Sequence, residues 1–212
     1  MPERIFVSGT DTGVGKTWFI SMIAAELRRA GIMVSARKPV QSFEPGDGST
    51  DAELLAAATG EDVQSVCPEH RSYPLALAPP IAAAVLDLEP IAMSDLVREI
   101  GFTPGALTFI EGVGGPLSPL ADDGNSVDLC RGLDAQQVLL VSDSGLGCIN
   151  RILLSAATFE EWPVMVALNR YDAADRTHRL NLDWLREQGV DVVVGPHDVA
   201  RSIEVGMSGE KT

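Results

Sequence analysis

The stretch Gly9-Thr10-Asp11-Thr12-Gly13-Val14-Gly15-Lys16-Thr17 follows a short apolar run, Ile5-Phe6-Val7, and opens an apolar-periodic segment over 17–30. Strand, glycine loop and helix in that order are the context a phosphate-binding loop requires. Glycines let successive backbone N–H groups turn towards an anion, and the helix start adds the positive end of its dipole. Lys16 supplies a point charge, and Thr17 offers a hydroxyl to Mg²⁺. The common form has four residues between its first glycine and the Gly-Lys pair. That first position is Thr10 here and Gly9 stands one residue earlier, so the loop is a variant. Asp11, Gly13, Val14, Gly15, Lys16 and Thr17 are the expected nucleotide contacts. A glycine turn serving only packing is the weaker reading of Gly-Lys-Thr in this setting.

Downstream, apolar strand-like runs at 33–36, 106–110, 138–141, 164–168 and 190–194 alternate with helical patterns at 52–58, 93–100, 149–159 and 178–188. The strand runs lack polar alternation, which predicts a mainly parallel sheet with helices over both faces. The fold class is therefore α/β, a three-layer α/β/α P-loop fold forming a single domain over 1–212. Its ligand belongs outside the carboxyl ends of the strands. Residues 41–49, with Pro45-Gly46-Asp47-Gly48, read as a loop; residues 67–80, with four prolines, read as irregular; a polar tail starts at Ser208.

With 212 residues and 45% hydrophobic content the chain can bury a full core. Sixteen basic against thirty acidic residues give a net charge of −14, and no basic run accompanies an aromatic cluster, so nucleic acid is not expected as a partner. No apolar signal core follows Met1-Pro2-Glu3-Arg4, and no run reaches about eighteen apolar residues, so no membrane association and a cytoplasmic location are expected. Cys67, Cys130 and Cys148 are too far apart for a metal motif and read as free thiols, and His70, His178 and His197 read as ordinary histidines.

Reactive residue types recur where strands end. Arg37-Lys38-Pro39-Val40-Gln41-Ser42 places Lys38 where its ammonium can meet a terminal phosphate or a substrate anion, although a lysine leaving a strand is by default solvated. Glu111, closing a very apolar strand before Gly112-Val113-Gly114-Gly115, suits a second anchor for Mg²⁺ better than a solvated turn acid. Thr50-Asp51-Ala52-Glu53 fits a capping box, which by itself explains Asp51. Asp143 reads as a turn acid. Asn169-Arg170-Tyr171-Asp172 has an Asn-x-x-Asp spacing that can contact a base, or it is simply a turn.

Taken together these segments resemble the family of ATP-dependent dethiobiotin synthetases. The resemblance is carried by the Gly9 to Thr17 loop, Lys38-Pro39-Val40-Gln41-Ser42, Thr50-Asp51, Glu111-Gly112-Val113-Gly114-Gly115 with Pro119-Leu120, and Leu146-Gly147-Cys148-Ile149-Asn150. It spans residues 5 to about 169, nearly four fifths of the chain. It implies an enzyme that uses ATP and Mg²⁺ to fix CO2 onto 7,8-diaminopelargonic acid and close a ureido ring. Lys16, Lys38, Thr12 and Ser42 would be the catalytic set, and Thr17, Asp51 and Glu111 the metal ligands. The Asn-x-x-Asp spacing of Asn169 and Asp172 makes Asn169 an expected nucleotide contact, with loose base discrimination that accepts ATP without strongly rejecting GTP or CTP. Lys38, Ser42, Gly112, Gly114 and Gly115 would bind substrate, together with Gly147, Cys148, Ile149 and Asn150 of a neighbouring copy in a homodimer. Phe43, Pro116 and Arg151 depart from the family pattern. The alternatives are a ligase for another diamine and a partner-binding ATPase switch. The switch proteins carry an early lysine in the loop where this chain has Asp11.

Overall fold

The computed structural model describes the backbone of residues 3–209 and the side chains of residues 3–205. The chain runs β1 (Arg4–Gly9), α1 (Lys16–Arg29), β2 (Val34–Arg37), β3 (Gln41–Ser42), α2 (Asp51–Thr59), α3 (Val63–Val66) and β4 (Ser72–Tyr73). It continues through α4 (Pro79–Val85), α5 (Met93–Glu99), β5 (Leu107–Glu111), β6 (Pro119–Ala121), β7 (Gly124–Asn125), α6 (Ser126–Gly132) and β8 (Gln137–Ser142). Then come α7 (Cys148–Ala157), β9 (Val164–Leu168), α8 (Arg176–Glu187), β10 (Val192–Val194) and α9 (Gly195–Gly209). The polar stretch expected from Ser208 lies, from residue 210 on, outside the described residues.

Six strands form one sheet in the order β10-β9-β8-β1-β5-β2, and every pair in it is parallel. β1 shows why its sequence is uniformly apolar: Ile5 and Val7 face a core shared with α1, α2 and α9, whereas Phe6 faces one shared with α4, α5 and α6. A strand covered on both faces has no solvent side on which to alternate. Helix α1 lays Phe19, Ile20, Ile23, Ala24 and Leu27 into the first core at helical spacing. It ends in a left-handed Gly31, with the Ile32 N–H returning to the Leu27 carbonyl, so the last turn keeps its hydrogen bonds.

The register brings the strand ends together. Val7 lies beside Glu111, Gly9 beside Val141, Arg37 beside Ile110 and Ser142 beside Leu168. Chain order reverses around β1, so the loop after it opens into the crevice between its neighbours β5 and β8. Strand and helix boundaries differ from the sequence reading by one or two residues, the usual reach of end fraying. The larger correction is in 67–80, which is not uniformly irregular: β4 pairs with β3, and α4 starts at Pro79. A proline in the first helical turn loses no hydrogen bond, because the first N–H groups of a helix have no partner within it. Helix α6 was also hidden in the sequence; its start is fixed by a reciprocal cap between Asn125 and Asp128.

The two-faced core predicts a sharp contrast. Phe109→Ala, in β5 with no exposed surface, should cost about 3–5 kcal/mol in urea unfolding. Met33→Ala, 58% exposed just before β2, should stay within about 0.5 kcal/mol of the parent.

Candidate functional site

Gly15 stands just before the first residue of α1 and holds φ 95°, and no side chain caps the helix start. Gly13 is also left-handed, at φ 74°. Gly9 is required for a different reason: a Cβ there would stand 2.8 Å from the Asp11 carbonyl oxygen and 3.1 Å from that of Gly114. The loop folds against 112–118. Gly9 N–H and the Lys16 ammonium both donate to the Gly114 carbonyl, at 3.3 and 3.1 Å. Lys16 is almost wholly buried, and burial lowers its pKa against the pull of Glu111.

Lys38 leaves β2 and points inward, 3% exposed. Its Nζ lies 2.6 Å from Glu111 Oε1, 2.7 Å from Asp51 Oδ2 and 3.3 Å from the Gly112 carbonyl. Thr17 completes the cluster, its Oγ1 2.8 Å from Asp51 Oδ1 and 3.0 Å from Glu111 Oε1. Burial alone would lower the Lys38 pKa, but the two carboxylates outweigh it and hold the ammonium above its ordinary range. Asp51 is held below the usual carboxylate range, first by the Lys38 charge. Glu111, 1% exposed, is pushed up by burial against the same lysine. Its second oxygen, Oε2, is buried without a hydrogen-bond partner.

Local sequence explains the convergence. Asp51 sits in the first turn of α2, which the reciprocal Thr50–Glu53 cap starts at that point. Gln41 reaches α2 by accepting the Ala52 N–H, and it donates to Ser72 next to β3. The Ser42 hydroxyl donates to the Leu77 carbonyl and so holds 76–78 at the rim. The resulting cleft, about 740 Å³, is lined among others by Thr12, Lys16, Thr17, Lys38, Ser42, Asp51, Glu111 and Gly114.

Other expected residues lie elsewhere. Gly112 stands behind the cleft and contributes its carbonyl to Lys38. Asp11 and Gly115 line a neighbouring open dent of about 390 Å³ with Pro116. The Gly15 and Val14 side of the loop meets Asn169, whose Nδ2 donates to the Val14 carbonyl at 2.8 Å. Gly147, Cys148, Ile149 and Asn150 lie at the start of α7 and line neither that cleft nor the neighbouring dent of their own chain. Arg151 pairs with Asp143 at 2.6 Å, and Asp143 also accepts the Gly145 N–H as a turn acid does. The three cysteines are free and buried, and burial pushes the Cys67 and Cys130 thiols up to about 12.

The sequence reading missed Trp18, Gln41, Ala76, Leu77, Ala78 and Ser118 in the cleft wall. Gln41 had a signal, since it stands between Lys38 and Ser42. The small residues at 76–78 carry none.

A family model described as an AAA domain matches residues 3–195. The chain is 39% identical over 189 residues to the ATP-dependent dethiobiotin synthetase of Haloferax mediterranei, covering 85% of this chain and 78% of that one. It is 32% identical to the enzyme of the same name from Aquifex aeolicus, covering 95% and 90%. In structure it resembles a plasmid partition protein from Borrelia burgdorferi B31 bound to AMPPNP, with a TM-score of 0.55, 11% identity and coverage of 91% and 85%, a likeness of fold alone. The chain is an ATP-dependent ligase and belongs to the family of ATP-dependent dethiobiotin synthetases.

Proposed function

We propose that this chain carboxylates 7,8-diaminopelargonic acid with CO2 and closes its ureido ring to dethiobiotin, converting ATP to ADP and phosphate, as a cytoplasmic homodimer. The observation that carries the reading is the convergence of two buried ammonium groups, Lys16 and Lys38, with Thr17, Asp51 and Glu111 in one cleft. Among the described residues no helix is long and apolar enough to cross a membrane.

The chemistry accumulates negative charge. CO2 on one substrate amine gives a carbamate, the carbamate oxygen attacks the γ-phosphate, and the second amine then attacks the carbonyl carbon and expels phosphate. The attacking groups belong to the substrate, so no nucleophilic side chain is needed. The buried thiols and the engaged Ser42 hydroxyl agree with that. Lys16 serves the phosphate side, and Lys38 faces the carbamate and the transferring phosphoryl group. Both charges are preorganised by burial, and so act at full strength as the transition state develops its own. Thr12 fixes the carbamate, and Ser42 joins it only by giving up its bond to the Leu77 carbonyl.

The oxygen set fits Mg²⁺. The Glu111 Oε2 atom is buried and unpartnered, with Asp51 and the Thr17 hydroxyl beside it. Among the described residues no group of three or more His, Cys, Asp or Glu residues is placed to hold a metal alone. Mg²⁺ at nucleotide sites takes few protein ligands and completes its shell with phosphates and water. When bound, the ion neutralises charge on the phosphate oxygens.

The start of α7 supports the shared site. Gly147 there is left-handed with no side-chain cap, and Leu146 before it is 89% exposed. Such a terminus accepts a carboxylate, yet it does not line the phosphate cleft of its own chain, which suits a substrate carboxylate reaching it from the partner's cleft.

ATP-dependent fixation of labelled bicarbonate into 7,8-diaminopelargonate tests the assignment, and no labelled dethiobiotin would refute it. Lys16→Ala and Lys38→Ala should each lower kcat by at least about a hundredfold. Lys38→Ala should also cost about 3 kcal/mol in urea unfolding, because it leaves Glu111 and Asp51 facing each other. Adding Glu111→Gln should return part of that loss. Mixing Lys38→Ala subunits with inactive Asn150→Ala subunits should restore about a quarter of wild-type activity, since a mixed dimer then holds one site with both lesions and one with neither. No recovery despite proven mixed dimers would place the whole site within one chain.

A further inference from the structure

Two clefts meet at the start of α1. The phosphate cleft and a second cleft of about 510 Å³, bounded by the ends of β9 and β10 and the beginning of α9, share two lining residues, Gly15 and Trp18. A nucleotide with its phosphates on the loop and its base in the second cleft has to cross that shared rim. Gly15 offers no side chain there, and a Cβ would strike Asn169 Nδ2. Trp18 is therefore the entire side-chain surface of the crossing.

The indole does not serve the core. Phe19 and Ile20 take that role, while Trp18 is 50% exposed and touches Phe19 edge to face, with ring centroids 6.1 Å apart. No group among the described residues bonds to its N–H.

The second cleft has few free groups with which to read the edge of a base. Asn169 commits one Nδ2 hydrogen to the Val14 carbonyl and accepts the Arg170 N–H on Oδ1, which leaves one N–H and one lone pair on an amide locked in a single orientation. Arg170 is exposed and reaches the Gly13 carbonyl at 2.9 Å. Pro196 has no N–H, and the Tyr171 ring lies 6.0 Å from that of His178. The remaining side chains are apolar.

We propose that Trp18 is the base-stacking platform of the nucleotide site, and that this cleft selects a nucleobase by its flat aromatic face rather than by the donors and acceptors on its edge. This rests on the reading above that a nucleoside triphosphate occupies the loop. Every base presents a π face, so a stacking platform tolerates all four and favours purines only through their larger overlap. The co-substrate class is thus nucleoside triphosphates in general, with Trp18 the residue that sets their common affinity.

Calorimetric titration of the full chain with ATP, GTP, CTP, UTP and inorganic tripolyphosphate, each with Mg²⁺, tests this in the wild type, Trp18→Val and Trp18→Phe. In the wild type, ATP and GTP should bind within about tenfold of each other. Trp18→Val should weaken all four nucleotides by about five- to 150-fold, the range expected for one lost base–aromatic stack. Tripolyphosphate, which has no base, should bind both proteins equally, and Trp18→Phe should recover most of the nucleotide affinity. Should the valine variant not fold, the phenylalanine variant carries the comparison through a smaller loss on the four nucleotides with none on tripolyphosphate. The proposal is overturned if Trp18 variants leave nucleotide affinity unchanged, weaken tripolyphosphate equally, or if the wild type prefers one base by more than about a thousandfold. Failure of the wild type to bind either tripolyphosphate or nucleotides would instead remove the underlying triphosphate reading, and the platform with it.

Discussion

One buried ammonium, that of Lys38, constrains much of this molecule. Burying a charge is tolerable only when an opposite charge and hydrogen bonds replace its water. Lys38 finds both in Glu111 and Asp51, which arrive from separate parts of the chain. The requirement fixes the end of β2 against the end of β5, which their parallel pairing already sets side by side. It also fixes the start of α2, because a helix beginning one residue later would move Asp51 off the lysine. The Thr50–Glu53 cap prevents that shift, and the Gln41 link to Ala52 holds the same helix end from below. Folding elements and site residues are thus set by the same contacts.

The phosphate loop adds a second constraint of closer range. Gly114 supplies one carbonyl to two donors, the Gly9 N–H and the Lys16 ammonium. Such an approach leaves no room for a Cβ at Gly9, and at Gly114 one would run into the Ser118 hydroxyl. A carbonyl offers Lys16 a dipole, while a phosphate oxygen offers a full charge, so the lysine exchanges a weaker partner for a stronger one when the loop fills. The segment 112–118 that supplied the carbonyl lies along the same cleft through Val113, Gly114 and Ser118. Occupancy of the loop and the shape of that cleft wall are thereby linked through a single backbone oxygen.

How much of this was legible in the sequence depends on whether a residue's surroundings are local. The parallel sheet was legible because a strand buried on both faces must be apolar throughout, as Ile5, Phe6 and Val7 are. The phosphate loop was legible because strand, glycines and helix follow one another directly. Asp51 was legible only through family resemblance: its cap explains it fully, and Lys38 and Thr17 reach it across 13 and 34 residues of chain. Helix α4 was hidden because prolines signal interruption in general and initiation only at a first turn. Trp18 was hidden as well, since one exposed aromatic beside a core stripe is ordinary until the two clefts that it separates are seen.

The segment Asn169 to Asp172 shows why spacing alone does not assign a role. An Asn side chain carries a donor and an acceptor, and it pairs with a base or with backbone according to which lies nearer. Here the end of β9 sits directly beneath the phosphate loop, so the Val14 carbonyl and the Arg170 N–H each engage one end of Asn169 and fix its amide plane. Asp172 is similarly occupied, its Oδ1 accepting the Ala174 N–H and its own N–H donating to His178 Nδ1 in the turn before α8. Asn169 lines the second cleft with its amide held in place by its two bonds, whereas Asp172 lies outside that lining and shapes the turn. The same bonds that place Gly15, Arg170 and the turn also fix the orientation in which the Asn169 amide meets the cleft, beside the ring of Trp18 and the apolar lining.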